Sequence, residues 1–76
     1  MPNLTPHQRS VLAAIAHLTE REGFPPVRRE VGPLVGLALS TVEYHLFILG
    51  WMGLVDWEPN KARTLRLTAA GKEALG

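Results

Sequence analysis

Two helix starts lie close together in this sequence, and no other feature limits the possible fold as strongly. Residues 25–30 read Pro-Pro-Val-Arg-Arg-Glu, in which the prolines stop any preceding helix and a glutamate occupies a capping position of a new one. Residues 40–46 read Ser-Thr-Val-Glu-Tyr-His-Leu, in which Ser40 and Glu43 predict the cap and capping box of another helix. Only a short turn, residues 36–39, separates the two helices. Helices joined in this way typically place the end of the second one in the major groove of DNA.

Capping residues and apolar spacing also predict the helix that precedes this pair. Thr5 and Gln8 have the spacing of a capping box, with a proline at the first helical position. Apolar residues then recur at helical intervals, which predicts a first helix over about 6–22. The second helix should begin near Arg28 and be short, kinked or partly 3₁₀, because Pro33 removes one of its hydrogen bonds.

The second half of the chain should continue with one more core helix and a hairpin. The predicted elements are a third helix over 41–52, strands over 54–57 and 63–67 joined by a turn, and a final helix over 69–75. Leu39 and Tyr44 have the spacing of a hydrophobic staple around the start of the third helix. Thr68 should cap the final helix, and Gly71 should weaken it.

Composition excludes several classes of protein. The chain has 76 residues, enough for a single domain over 1–76, and 46% of them are apolar, which favours a folded core. Without cysteine there can be no disulfide or thiolate metal site, and the three histidines are too scattered to suggest a metal. We find no catalytic constellation, no cofactor or small-molecule motif, no signal peptide and no membrane span, so we expect a cytoplasmic protein that is not an enzyme. The net charge of +1 is only weak evidence for a nucleic-acid partner.

Four segments resemble the N-terminal DNA-binding domain of the LexA repressor family. They are residues 4–8, 23–30, 43–46 and 53–55. The resemblance extends over roughly 4–67 and implies a winged helix-turn-helix that binds DNA. The family's C-terminal self-cleaving protease domain, with its Ser/Lys dyad, has no counterpart in these residues, so an autoproteolytic response to DNA damage is not implied.

The beginning of the third helix holds the candidate base-reading residues. Ser40 and Thr41 carry hydroxyl groups that can serve donor or acceptor base edges, Glu43 can accept from cytosine, and Tyr44 lies one turn further on. These residues also have structural interpretations, since Ser40 and Glu43 can satisfy helix-end amides and Tyr44 can pack in the staple. The operator sequence of the family is not implied, because its asparagine-containing first turn is replaced by Ser-Thr-Val in this chain.

Basic residues on other elements are candidates for contacts with the DNA backbone. Arg28 and Arg29 open the second helix, Lys61 and Arg63 lie near the tip of the hairpin, and His7 lies in the first helical turn. The alternative for each is a solvated surface residue, and we favour a phosphate contact for at least one of Arg28 and Arg29. A few contacts per protomer predict weak binding at physiological salt, so useful affinity should require a homodimer on two half-sites.

The third helix is also more apolar than one buried face requires. Phe47 and Trp51 are the candidates for an exposed surface that binds a partner protein or a second copy of the chain, unless neighbouring helices cover them. The absence of Lys and Arg from this helix favours that possibility.

The sequence therefore predicts a mainly α fold with a small β-hairpin, a winged helix-turn-helix with a three-helix core, a wing and a short C-terminal helix. The favoured function is sequence-specific binding of double-stranded DNA by a small transcriptional regulator, with helix 41–52 in the major groove. The alternative is a winged-helix module for protein–protein interaction, because function depends on sites rather than on the fold.

Overall fold

The computed structural model describes residues 3–76. Within them the chain forms four α-helices and one two-stranded antiparallel hairpin, which confirms the predicted fold class. The elements are α1 (Pro6–Glu22), α2 (Arg28–Val35), α3 (Leu39–Trp51), β1 (Val55–Asp56), β2 (Arg66–Leu67) and α4 (Ala69–Leu75).

The first helix has the predicted bounds and the predicted cap. The Thr5 hydroxyl accepts from the Gln8 amide at 3.1 Å, and the Gln8 side chain accepts from the Thr5 amide at 3.2 Å. Gly23 then ends the helix in the left-handed conformation, with φ of 81°.

The second helix is short, as predicted, but its eight residues are all α-helical, so the expected 3₁₀ character is wrong. The Glu30 carboxylate accepts from the Val27 amide at 2.8 Å and supports the first turn in place of a side-chain cap from Val27. Gly32 is buried where α2 meets the following turn, and a Cβ atom there would lie 2.6 Å from the Leu37 carbonyl oxygen. Tertiary packing therefore holds α2 in helical form although Pro33 interrupts its hydrogen bonds.

The third helix begins earlier than its capping pattern predicted. Leu39 is its first residue and Ala38 its N-cap, so the predicted cap by Ser40 and capping box with Glu43 are wrong. The Ala38 carbonyl accepts from the amides of Thr41 and of the following valine at 3.1 and 3.0 Å. No side chain caps this helix, which leaves the Ser40 hydroxyl free for another role.

Burial explains the earlier start of α3. Val42, at the fourth helical position, is completely buried, and Leu37 packs against the same core. These two residues occupy the staple positions that the sequence assigned to Leu39 and Tyr44, both of which are exposed. The hydrophobic core, rather than the side-chain cap, sets the register of the helix.

The hairpin forms as predicted but with shorter strands. Val55 pairs with Leu67 and Asp56 pairs with Arg66, whose guanidinium lies 3.2 Å from the Asp56 carboxylate. The longer predicted strands are wrong because residues 57–65 form a turn-rich tip instead. Positive φ angles at Asn60 and at Arg63 are incompatible with a continued ladder.

The core joins α1, α2 and α3 to the hairpin. Its most buried side chains are Val11, Leu12, Ile15, Val31, Val42, Leu46 and Leu49. Within residues 3–76 no single helix is long and apolar enough to cross a membrane; α2 and α3 reach that length only in combination, and they are bent by 106° at their turn.

The Thr68 hydroxyl caps α4 as predicted, accepting from the Gly71 amide at 3.0 Å. Gly71 has a packing function that the sequence did not reveal. It lies so close to the hairpin that a Cβ atom would overlap the Leu54 carbonyl and come within 3.3 Å of the Leu67 side chain. A glycine is therefore required for α4 to dock.

We expect Gly71→Ala to lower the free energy of unfolding by about 1–3 kcal/mol, measured by urea denaturation. Helix propensity alone predicts the opposite sign, a gain of about 1 kcal/mol, so the experiment separates packing from propensity. Glu73→Ala is the matched control, because Glu73 is exposed on the same helix. A stabilised Gly71→Ala protein would contradict the tight contact between α4 and Leu54.

Candidate nucleic-acid interface

A groove of about 450 Å³ lies between the beginning of α2, the beginning of α3 and the tip of the hairpin. Its walls include four of the five residues predicted to contact the DNA backbone, namely Arg28, Arg29, Lys61 and Arg63. Two carboxylates, Glu43 and Glu58, also line it. A nearly neutral chain thus concentrates positive charge at one concave surface, the pattern that attracts a phosphate backbone. The fifth residue, His7, lies elsewhere, against α3.

Trp57 organises this groove, although nothing in the sequence marks it as a site residue. The Arg28 guanidinium lies 4.5 Å from the centre of the Trp57 ring, a cation–π contact. On α3, Gly50 allows the ring to approach so closely that a Cβ atom there would lie 3.1 Å from it. The Trp57 indole therefore links the hairpin to both α2 and α3. In the sequence, Trp57 is simply an aromatic residue at the end of the predicted strand 54–57.

The solvent-facing side of α3 is a stripe of four residues. At 100° per residue, Ser40, Tyr44, Phe47 and Trp51 fall within about 60° of one another, opposite the buried Val42, Leu46 and Leu49. Of the aromatic members, Tyr44 is 62% exposed, Phe47 70% and Trp51 85%. We refer to these four residues as the outer stripe. It begins with predicted base-reading residues and ends with predicted protein-interface residues, so the two surfaces are continuous.

The other predicted base-reading residues flank this stripe. Glu43 is exposed and lines the basic groove, on the side of the hairpin. Thr41 is half-buried on the opposite side. Ser40 and Tyr44 are therefore the predicted base readers that project most directly outward.

Known proteins are similar to this chain in sequence and in architecture. The LexA DNA binding domain family matches residues 1–64. The chain belongs to this family. A LexA repressor of Pediococcus pentosaceus is 39% identical over 75 residues, covering 97% of this chain and 36% of that protein. One of Acidothermus cellulolyticus is 38% identical over 68 residues, covering 88% of this chain and 25% of that protein.

Two solved structures of regulators share the fold of this LexA-type domain. The PcaV transcriptional regulator of Streptomyces coelicolor superposes with a TM-score of 0.70 at 33% identity, covering 95% of this chain and 50% of that one. The transcriptional regulator Tm0710 of Thermotoga maritima gives 0.72 at 31% identity, covering 93% and 48%. The chain thus spans about a quarter to a third of the LexA repressors and about half of these regulators.

In this LexA-type domain, Arg63 is bound to the body of the protein. Its guanidinium lies 3.1 Å from the Glu30 carboxylate, donates to the Pro25 carbonyl at 3.3 Å and lies 5.0 Å from the centre of the Phe24 ring. The Val27 amide and the Arg63 guanidinium lower the pKa of Glu30. Arg63 therefore fixes the hairpin tip to the start of α2 while part of its side chain remains exposed.

Two other cations of the groove, Arg29 and Lys61, are less constrained than Arg63. Lys61 is exposed, and its ammonium lies 3.9 Å from the Glu58 carboxylate, a distance at which an exposed pair contributes little. Arg29 is exposed and makes no ion pair with any residue in 3–76. These two side chains can move to meet a phosphate without breaking a strong contact.

A pair of histidines connects α1 to the outer stripe. The rings of His7 and His45 meet edge to face with centres 5.9 Å apart, and Tyr44 lies 5.5 Å from His45 on the other side. The Nδ1 atom of His45 is buried and finds no hydrogen-bond partner among residues 3–76. Burial, with a smaller effect from the charge of His7, lowers the pKa of His45.

We expect the domain to lose stability as the pH falls from 7.5 to 5.5. Because the pKa of His45 is lowered in the folded state, the unfolded state binds the proton first, and acid favours unfolding below the ordinary histidine pKa of about 6.5. Thermal melts across this range should show a smaller decline for His45→Gln. The exposed residue His17 provides the control: His17→Gln should keep the full decline, and equal behaviour of the two variants would contradict the assignment.

Proposed function

We propose that this chain is the DNA-binding part of a transcriptional regulator and recognises a specific sequence of double-stranded DNA through α3. The observation that carries the proposal is the convergence of Arg28, Arg29, Lys61 and Arg63 on one groove beside the exposed end of α3. Membership of the LexA DNA binding domain family supports it independently. The location in the cytoplasm and the lack of enzymatic activity belong to the same proposal.

The two sets of residues have different roles in this proposal. Ser40 and Tyr44 read base edges from the outer stripe, with Thr41 and Glu43 at its sides. The cations of the groove bind phosphates on either side of the major groove and thereby set the position of α3. His7 is a backbone contact only if the DNA extends past the beginning of α1.

The number of these contacts favours a dimer. Each neutralised phosphate contributes about −0.9 to the slope of log affinity against log salt, so a few contacts leave one protomer weakly bound at physiological salt. Two protomers on two half-sites double the contacts, and we propose this arrangement for the functional complex.

Selection from randomised duplex DNA tests the proposal. The chain should enrich one motif, and its affinity for that motif should fall steeply between 50 and 200 mM salt. Enrichment of paired half-sites would support the dimer. Failure to bind any duplex at low salt would overturn DNA binding altogether.

A second candidate function is protein binding through Phe47 and Trp51, favoured by their exposures of 70% and 85%. Because both belong to the outer stripe, a partner that covers them would compete with DNA. The double variant Phe47→Ser/Trp51→Ser should then reduce self-association or partner binding, measured by sedimentation. A double variant that sediments like the wild type and binds DNA with unchanged affinity would exclude this interface.

A further inference from the structure

Phe47 lies on the outer stripe, on the same face of α3 as the predicted base readers Ser40 and Tyr44. Phe47 follows Ser40 by seven residues, which at 1.5 Å per residue places it about 10 Å further along the axis of α3. A recognition helix lies in the major groove and its N-terminal part contacts the base edges, so a helix with Ser40 and Tyr44 at the bases also turns Phe47, on the same face, toward the groove. Trp51, a further turn along at about 16 Å from Ser40, is the member of the stripe farthest from that N-terminal part.

The chemistry of this stripe limits what it can recognise. It contains the hydroxyl groups of Ser40 and Tyr44, the indole of Trp51, whose N–H is a donor, and the phenyl ring of Phe47; α3 has no Lys or Arg to bind guanine. A phenyl ring offers no hydrogen bond, so pressing it against a polar base edge would remove water from that edge without replacement. In the major groove the apolar feature of a base edge is the C5-methyl group of thymine.

We propose that Phe47 contacts the C5-methyl group of a thymine and is a specificity-determining residue, an inference that rests on the proposed binding of DNA by α3. The ring is available because 70% of its surface is exposed in the free protein. It lines a shallow pocket whose other residues are Gly50, Trp51, Val55, Asp56 and Trp57, so all but one of the side chains around an entering methyl group are uncharged. The recognition sequence therefore contains a thymine at a fixed position in each half-site.

Deoxyuridine substitution isolates this contact, because it removes the methyl group and keeps every hydrogen-bonding group of thymine. The probe is the duplex enriched by selection, with each thymine replaced in turn, and the protein is the full 76-residue chain. Burial of one methyl group corresponds to about a fourfold change in affinity. The wild-type chain should lose about that factor at one thymine per half-site and little at the others.

Variants identify the residue that makes the contact. Phe47→Ala should bind the thymine and deoxyuridine duplexes equally, whereas Trp51→Ala should retain the fourfold difference. Phe47→Leu should keep part of it, and this variant preserves a measurable affinity if the alanine variant binds too weakly. The free energy of unfolding should change little in all three variants, because Phe47 and Trp51 are both exposed.

Each alternative outcome has a definite meaning. An enriched motif without thymine, or wild-type binding that no deoxyuridine substitution changes, would overturn the thymine contact and leave the proposed function intact. A methyl effect that persists in Phe47→Ala would assign the contact to another residue and so also overturn the inference. Absence of binding to every duplex would overturn both the inference and the proposed function.

Discussion

Leu46→Ala is expected to lower the free energy of unfolding by about 2–5 kcal/mol. Leu46 is completely buried in the middle of α3, on the side opposite the outer stripe, so the alanine would leave a cavity where α3 packs on the core. A small domain has a thin core and a total stability of about 5–15 kcal/mol, and this single change would remove much of it. Urea denaturation followed by circular dichroism measures the loss.

Leu34→Ala is the matched control, because it removes the same atoms from a side chain that is 47% exposed on α2. We expect this variant to remain within about 0.5 kcal/mol of the wild type. A similar loss in both variants would mean that Leu46 is not at the centre of the core. The comparison also tests the register of α3, since a rotation of the helix would exchange buried and exposed positions.

Capping patterns in the sequence correctly predicted the helix ends that are set by residues within one turn of each other. The Thr5–Gln8 box and the Thr68 cap are formed within one helical turn, and both were predicted from the sequence. The start of α3 was not, because the burial of Val42 outweighs a capping box at Ser40. A cap contributes about 1 kcal/mol and a buried valine about 1.5–3, so the core determines the outcome.

The candidate site shows the same distinction. Its basic residues were identified one at a time from their types and positions. Their arrangement depends on contacts between distant parts of the chain, such as Arg63 with Glu30, 33 residues apart. Trp57 was missed for the same reason. Its role in the groove depends on its contacts with Arg28 and Gly50, and these residues come close to the indole only in the folded chain. The types of residue that line the candidate site can be predicted from the sequence, whereas their arrangement in space depends on the fold.

Arg28→Ala/Arg29→Ala should weaken DNA binding by at least about a hundredfold per bound protomer, because the two lost hydrogen bonds to charged groups are worth about 1.5–3 kcal/mol each and about 1.4 kcal/mol is tenfold. Both arginines lie in the first turn of α2 and line the basic groove. Loss of two phosphate contacts per protomer should also make the slope of log affinity against log salt less negative by about 1.8 for each bound protomer. Fluorescence anisotropy with the selected duplex at several salt concentrations measures both quantities.

The slope of log affinity against log salt is more informative than the affinity itself. The control variant for it must have the same net charge as the groove variant. Arg21→Ala/Lys72→Ala also removes two cations, changing the net charge from +1 to +1 − 2 = −1, but at the end of α1 and on α4. If general electrostatic attraction explained the binding, both double variants would lose affinity and slope equally. If the basic groove holds the phosphates, the slope changes by about two contacts per bound protomer for the groove variant and remains near the wild-type value for the control. Equal slopes in the two variants would remove Arg28 and Arg29 from the interface, even if both proteins bound DNA more weakly.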